Sequence, residues 1–154
     1  MTPLVGTDVG SVHHTMDRIP STRDTRMSHQ PIVASNLPTP VGPYSPGMGF
    51  ERLLFISGQG AVNPATGQLA GADAARQTEQ CLENLRAILR AGGSDLQYVL
   101  RCGVFLTDMR DFAAMNAVYA RYFGEHRPAR TTIQAAALPR EGLLVEIDCI
   151  AYRP

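Results

Sequence analysis

Two segments of this chain carry apolar residues at the helical period, and they decide what the rest can be. Between Asp73 and Gly93, the residues Thr78, Cys81, Leu82, Leu85, Ile88 and Leu89 fall on one face, with Glu79, Glu83, Arg86 and Arg90 on the other. Between Asp108 and Gly124, the residues Phe112, Met115, Val118, Tyr119, Tyr122 and Phe123 form a second apolar face. Asp73 can cap the first helix, and Gly92-Gly93 closes it. Asp108 and Asp111 can cap the second, Gly124 ends it, and Pro128 forbids its resumption.

Extended candidates surround these helices. They are Ile32 to Ala34, Leu53 to Ile56 (stopped by Ser57-Gly58), Tyr98 to Leu106, Arg130 to Ala136 and Leu143 to Ala151. Pro38, Pro40, Gly42 and Pro43 make residues 36–45 a restricted loop, and Asn63 to Gly67 reads as a turn. The order is strands, helix, strand, helix, two strands. That predicts an α+β fold, with two helices on one face of a sheet. Nothing remains to cover the other face, which is not polar enough to stay wet. Leu144 and Ile150 share a side with Glu146 and Asp148 there, and Phe105 lies opposite its own strand's apolar row of Leu100, Cys102, Val104 and Leu106. Other copies of the same chain should cover it, which makes a homo-oligomer part of the fold.

A length of 154 residues suits one domain, and 44% hydrophobic content supports a packed core. Residues 1–30 lack apolar periodicity and are expected to be a disordered N-terminal extension, with the single domain spanning 31–154. All fourteen basic residues are arginine, balanced by fourteen acidic ones. With no lysine, a Schiff-base lysine, a P-loop lysine and a lysine general base are excluded. Three of the four histidines lie in the first thirty residues, so a metal site built on two core histidines is excluded too. Cys81, Cys102 and Cys149 form no CxxC and are expected to be reduced core thiols of a cytoplasmic protein. No segment has the length to span a bilayer, and no membrane partner is expected. Zero net charge and scattered aromatic residues argue against a nucleic-acid partner.

Three features could carry chemistry. Arg130, just inside a predicted strand, needs a partner: either a small carboxylate gripped in bidentate fashion, or Glu146 in a structural ion pair. Glu146 sits between Val145 and Ile147, so it is either paired or raised in pKa and available for proton transfer. The loop Gly42-Pro43-Tyr44-Ser45 and the run Phe55-Ile56-Ser57-Gly58-Gln59 expose backbone groups and a phenol. His126 reads as a solvated residue after the second helix, and Asn116 as a mid-helix amide that is either a surface group or a site residue.

Taken together, these segments resemble the Rid (YjgF, reactive intermediate deaminase) family over residues 31–154. The resemblance rests on Gly42-Pro43-Tyr44-Ser45, Phe55 to Gln59, Asn63 to Gly67, Gln77-Thr78 with Asn84-Leu85, Phe105 to Met109, Arg127 to Arg130, Leu138-Pro139 and Val145 to Ile147. It implies a chorismate-mutase-like fold, a mixed sheet with two helices on one face, assembled as a homotrimer with a ligand cleft at each subunit interface. It also implies hydrolysis of 2-imino acids, or their enamine tautomers, to 2-oxo acids and ammonia, with no metal or organic cofactor. By the same resemblance Arg130 binds the substrate carboxylate and Glu146 orients water. Tyr44, Ser57, Gly58, Asn116 and Thr132 line the substrate site. Thr132 stands where deaminase members often carry Cys, Gln134 where an acidic residue is common, and Ala137 where a second arginine is common. Two other readings accompany this one: a non-catalytic small-acid-binding or chaperone-like trimer, and an endoribonuclease or translation inhibitor.

Overall fold

The computed structural model of the chain describes residues 28–33, 37 and 40–154. Residues 1–27 of the expected extension lie outside them, as do Ala34, Asn36 and Pro38. Strand β1 (His29–Ile32) begins two residues ahead of the expected domain start. It is followed by β2 (Gly47–Phe50), β3 (Leu53–Gly60), α1 (Ala74–Ala91), β4 (Val99–Leu106), α2 (Phe112–Phe123), β5 (Ala129–Gln134) and β6 (Val145–Tyr152).

The strands form one sheet in the order β1-β2-β3-β6-β4-β5. Only β4 and β5 pair in parallel, so the sheet is mixed. Both helices pack on one face. The Asp73 side chain accepts the Arg76 N–H at 2.9 Å and starts α1, as the sequence predicts. Every residue of the predicted apolar stripe of α1, from Thr78 to Leu89, is buried. These side chains meet Leu54 and Ile56 of β3, Cys102, Val104 and Leu106 of β4, and Val145, Ile147 and Cys149 of β6. Each such fully buried aliphatic side chain contributes roughly 1.5–3 kcal/mol.

Strict alternation along β6 sends Glu146, Asp148 and Ile150 to the opposite, uncovered face. Phe55 and Ile133 lie on that face, 44% and 48% exposed, in register with Ile150 and Phe105 respectively. The apolar second face expected from the sequence is therefore present. Leu100 departs from expectation: a register irregularity between Val99 and Arg101 turns it outward, and Val99 is buried instead. His126 departs as well. It is half-buried, with Nε2 at 2.7 Å from the carbonyl oxygen of Val99.

Strand β3 does not stop at Ser57-Gly58 but runs to Gly60. Its register against β6 slips by one residue between Ile56 and Gln59, so Ser57-Gly58 is a bulge within the strand. Two buried amides of α1 hold this irregular region. Asn84 Nδ2 donates to the carbonyls of Gly60 at 3.0 Å and Val62 at 2.9 Å. Two turns earlier, Gln77 Nε2 donates to the Gly142 carbonyl at 2.9 Å, and its Oε1 accepts the Leu144 N–H at 2.8 Å. The helix thereby fixes both the segment after Gly58 and the segment leading into Glu146.

Candidate functional site

The predicted site residues gather into two groups. The first lies along the β3 bulge and the start of β6. Glu146 stands over Gly58, and a Cβ at Gly58 would overlap its carboxylate. Glycine is required there by that close approach, not by an unusual backbone angle. Burial, and next the charge of Asp148, hold the Glu146 carboxyl above the usual carboxylate range. Ser57 belongs to the frame of this group: its hydroxyl donates to the Ser45 carbonyl at 2.7 Å, and its N–H to that of Pro46 at 3.0 Å. These bonds tie the bulge to the loop bearing Tyr44, whose ring is half exposed. Tyr44, Gly58 and Glu146 share a groove of about 630 Å³ with Pro139, Arg140 and Leu143. A cavity of similar size on the outer side of α1, about 640 Å³, is lined by Gln80, Glu83, Arg86 and Arg90 and contains no predicted site residue.

The second group lies between β5 and α2. Arg130 pairs in register with Cys102, and Thr132 with Val104, so both side chains emerge on the helix-covered face. The Arg130 guanidinium carbon sits 4.6 Å from the ring centre of Tyr119 and 5.7 Å from that of Phe112. Phe112, Asn116 and Tyr119 follow one another at i, i+4 and i+7, which puts half-buried Asn116 on the helix surface between the two rings. Among the described residues, Arg130 takes part in no ion pair. Among the described residues the buried hydroxyls of Thr132 and Tyr119 have no hydrogen-bond partner within normal geometry, the polar neighbour of that of Tyr119 being the Cys102 thiol. Among the described residues, this corner of the fold thus holds a cation without an ion-pair partner and a buried threonine hydroxyl without a hydrogen bond.

The two groups do not meet within one chain. Glu146 is on the uncovered face and Arg130 on the covered one, and β4 separates their strands. The intrachain Arg130–Glu146 ion pair that the sequence left open is not formed. The residues that sequence reasoning missed are Phe112 and Tyr119, which it assigned wholly to the core. Their signal was present: two aromatic residues seven apart on a helix preceding a strand arginine. The thiols offer no alternative chemistry, since burial pushes Cys102 up to about 11 and raises Cys81 and Cys149 as well. Among the described residues, no three His, Cys, Asp or Glu side chains gather as metal ligands would, and no helix is long and apolar enough to cross a membrane.

This arrangement, a six-stranded mixed sheet with two helices on one face, has known relatives. The chain belongs to the family described as Endoribonuclease L-PSP, whose model matches residues 34–153. A RutC family protein of Pyrococcus horikoshii is 47% identical over 122 residues, covering 79% of this chain and 96% of that protein. The 2-iminobutanoate/2-iminopropanoate deaminase of Mus musculus is 42% identical over 122 residues, covering 79% and 90%. Among solved structures, the YjgF gene product of E. coli superposes with a TM-score of 0.76 at 38% identity, covering 81% of this chain and 99% of that one. The Rid/YjgF membership that the sequence motifs imply is thereby established, together with the α+β fold.

Proposed function

We propose that this protein is a 2-iminobutanoate/2-iminopropanoate deaminase-type hydrolase. It would convert 2-imino acids or their enamine tautomers to 2-oxo acids and ammonia, removing reactive metabolites in the cytoplasm without a metal or organic cofactor. The observation that carries this reading is the Arg130 guanidinium, held against two rings with no ion-pair partner among the described residues. A partly buried cation left unneutralised is costly, and a small carboxylate matched to its fork offsets that cost. The deaminase relatives support the reaction class. The zero net charge supports a small anion over a polyanionic RNA as ligand.

Because Arg130 and Glu146 stand on opposite faces of the sheet, we assign the complete site to the interface between copies, in a homotrimer that covers the apolar sheet face. Arg130 of one copy holds the substrate carboxylate, with Asn116 and Thr132 beside it. The groove of the next copy supplies Tyr44, Gly58 and Glu146, on the frame that Ser57 holds. An enamine is first protonated at carbon to give the iminium. Glu146 takes a proton from water as the oxygen attacks the iminium carbon and returns it to nitrogen; it then takes the hydroxyl proton as the C=O bond forms, the C–N bond breaks and ammonia leaves, and it releases that proton to solvent. Burial raises its pKa, which makes the carboxylate a stronger base toward water than an exposed glutamate. Imines are reactive toward water, and acid–base help worth ~10²–10⁴-fold with correct positioning meets the demand.

The test generates 2-aminoacrylate or 2-aminocrotonate in place, from serine or threonine with a dehydratase, and follows 2-oxo acid release. Acceleration by this protein is expected. Binding of the acid without acceleration would leave a non-catalytic binding protein. Sedimentation should give about three times 16.7 kDa, and a stable monomer at micromolar concentration would overturn the interface site.

A further inference from the structure

We infer that Phe112 and Tyr119 form an aromatic slot that fixes the Arg130 guanidinium without neutralising it, and are therefore positioning residues for carboxylate recognition. The inference rests on the reading of Arg130 as the carboxylate-binding residue. Phe112 and Tyr119 stand seven residues apart on α2, which is about 10.5 Å along a helix axis at 1.5 Å per residue. The guanidinium carbon lies between their rings, at 4.6 Å and 5.7 Å. A long arginine side chain samples many rotamers, and recognition of a carboxylate by a rigid fork needs one of them. The common restraint on an arginine is a carboxylate partner. Here such a partner would occupy the fork and cancel the charge that the ligand requires. A π face avoids that conflict, because its quadrupole attracts the cation while leaving the N–H edge free.

The other features of Tyr119 point the same way. The residue is 7% exposed, and its hydroxyl makes no hydrogen bond of normal geometry among the described residues. The polar neighbour of that hydroxyl is the buried Cys102 thiol, a weak hydrogen-bonding group that gives little reason for a tyrosine in place of a phenylalanine. What Tyr119 supplies to its surroundings is a ring, packed also on Phe123 with centroids 4.4 Å apart. Phe123 braces Tyr119 from the next turn, so the nearer wall of the slot is itself held in place.

The experiment uses the full-length assembled protein and three variants: Tyr119→Leu, Phe112→Leu and Tyr119→Phe. Calorimetric titration gives the Kd for 2-oxobutanoate and for its neutral amide, and steady-state kinetics give KM and kcat with 2-iminobutanoate. Tyr119→Leu should raise the Kd for the acid, and KM with it, about 2- to 30-fold, the range of one cation–π contact from exposed to desolvated settings. It should leave the amide's Kd and kcat within about twofold. Phe112→Leu, at the half-exposed first turn of α2 and the more distant wall, should shift the acid's Kd in the same direction by less. Tyr119→Phe should recover most of the lost affinity, since it keeps the ring. Equal weakening of acid and amide would mean general loosening of the site and would overturn the slot, as would unchanged acid affinity in both leucine variants. A parent protein that binds the acid without turning over the imine overturns the deaminase reading alone, and the Kd values still decide the slot. A parent that does not bind the acid overturns both.

Discussion

Replacing Arg130 separates recognition from architecture, because its surroundings make the two consequences unequal. The guanidinium touches two ring faces and, among the described residues, joins no ion pair. Removing it therefore strands no buried carboxylate. Arg130→Ala should lose about 0.5–2 kcal/mol of cation–π contact, partly offset by relief from holding an unneutralised charge. The melting temperature should move by only a few degrees. Recognition should suffer far more. Two charge-assisted hydrogen bonds contribute about 1.5–3 kcal/mol each, so kcat/KM should fall about 10- to 150-fold per lost bond. Arg130→Lys keeps the charge but loses the planar fork, so it should lie between alanine and the parent and well below the parent. Turnover of dehydratase-generated 2-iminobutanoate and calorimetric melting should be measured on the same samples. Parent-level kcat/KM in Arg130→Ala would refute the role of the arginine. A stability loss of about 3–5 kcal/mol would instead indicate that a buried ion pair had been broken, contrary to the face assignment.

Glu146 leads to a prediction of opposite sign for stability. Its pKa is raised in the folded chain, by burial first and by Asp148 second, so the folded state holds its proton more tightly than the unfolded state does. That contribution is fully present below the ordinary glutamate range, near ~4.3, and is lost as pH rises through the raised value. Glu146→Gln should therefore raise the melting temperature at neutral pH, with the gain closing in acid, while turnover drops about 10²–10⁴-fold. A variant that melts lower at neutral pH would contradict the burial argument. Gly58→Ala places a methyl group where the Glu146 carboxylate stands, and a displacement of about 1 Å should cost roughly 10²-fold in kcat/KM, with a small change in melting. Asn84→Ala leaves the carbonyls of Gly60 and Val62 without their donor and should cost about 1–3 kcal/mol in denaturant unfolding. A neutral result there would mean that water replaces the amide.

The helices were legible because burial of one face imposes a 3.6-residue period that little else imitates. Asp73 and the stripe from Thr78 to Leu89 are placed as the pattern requires. The unpartnered sheet face was legible for the same reason, through the strict alternation of β6. Strand β2 was not. Its sequence, Gly-Met-Gly-Phe, has neither β-branched residues nor alternation, and its pairing with β1 and β3 on both sides makes it a strand. The continuation of β3 through Ser57-Gly58-Gln59-Gly60 escaped notice for a related reason: glycines that read as a stop instead mark a bulge. Leu100 was assigned inward because a period-2 reading cannot see an irregularity that reverses parity.

The candidate site was legible in its residue types and hidden in its geometry. The sequence names Arg130 and Glu146 but gives no parity between β5 and β6, because β5 is an edge strand with no fully buried position to mark its inner face. Register against β4 settles the matter: Arg130 shares a face with Cys102, while Glu146 shares one with Phe105. A single chain can place these two groups only on opposite sides of its own sheet. If one ligand is to touch both, the apolar face that bears Glu146 and the strand edge that bears Arg130 must belong to different copies. The same face demands a cover on hydrophobic grounds alone, given Phe55 and Ile133 exposed on it. Completing the fold and completing the site are then one event, and a substitution on that face that prevents assembly, such as Phe55→Glu, should abolish turnover while every residue of the site remains in place.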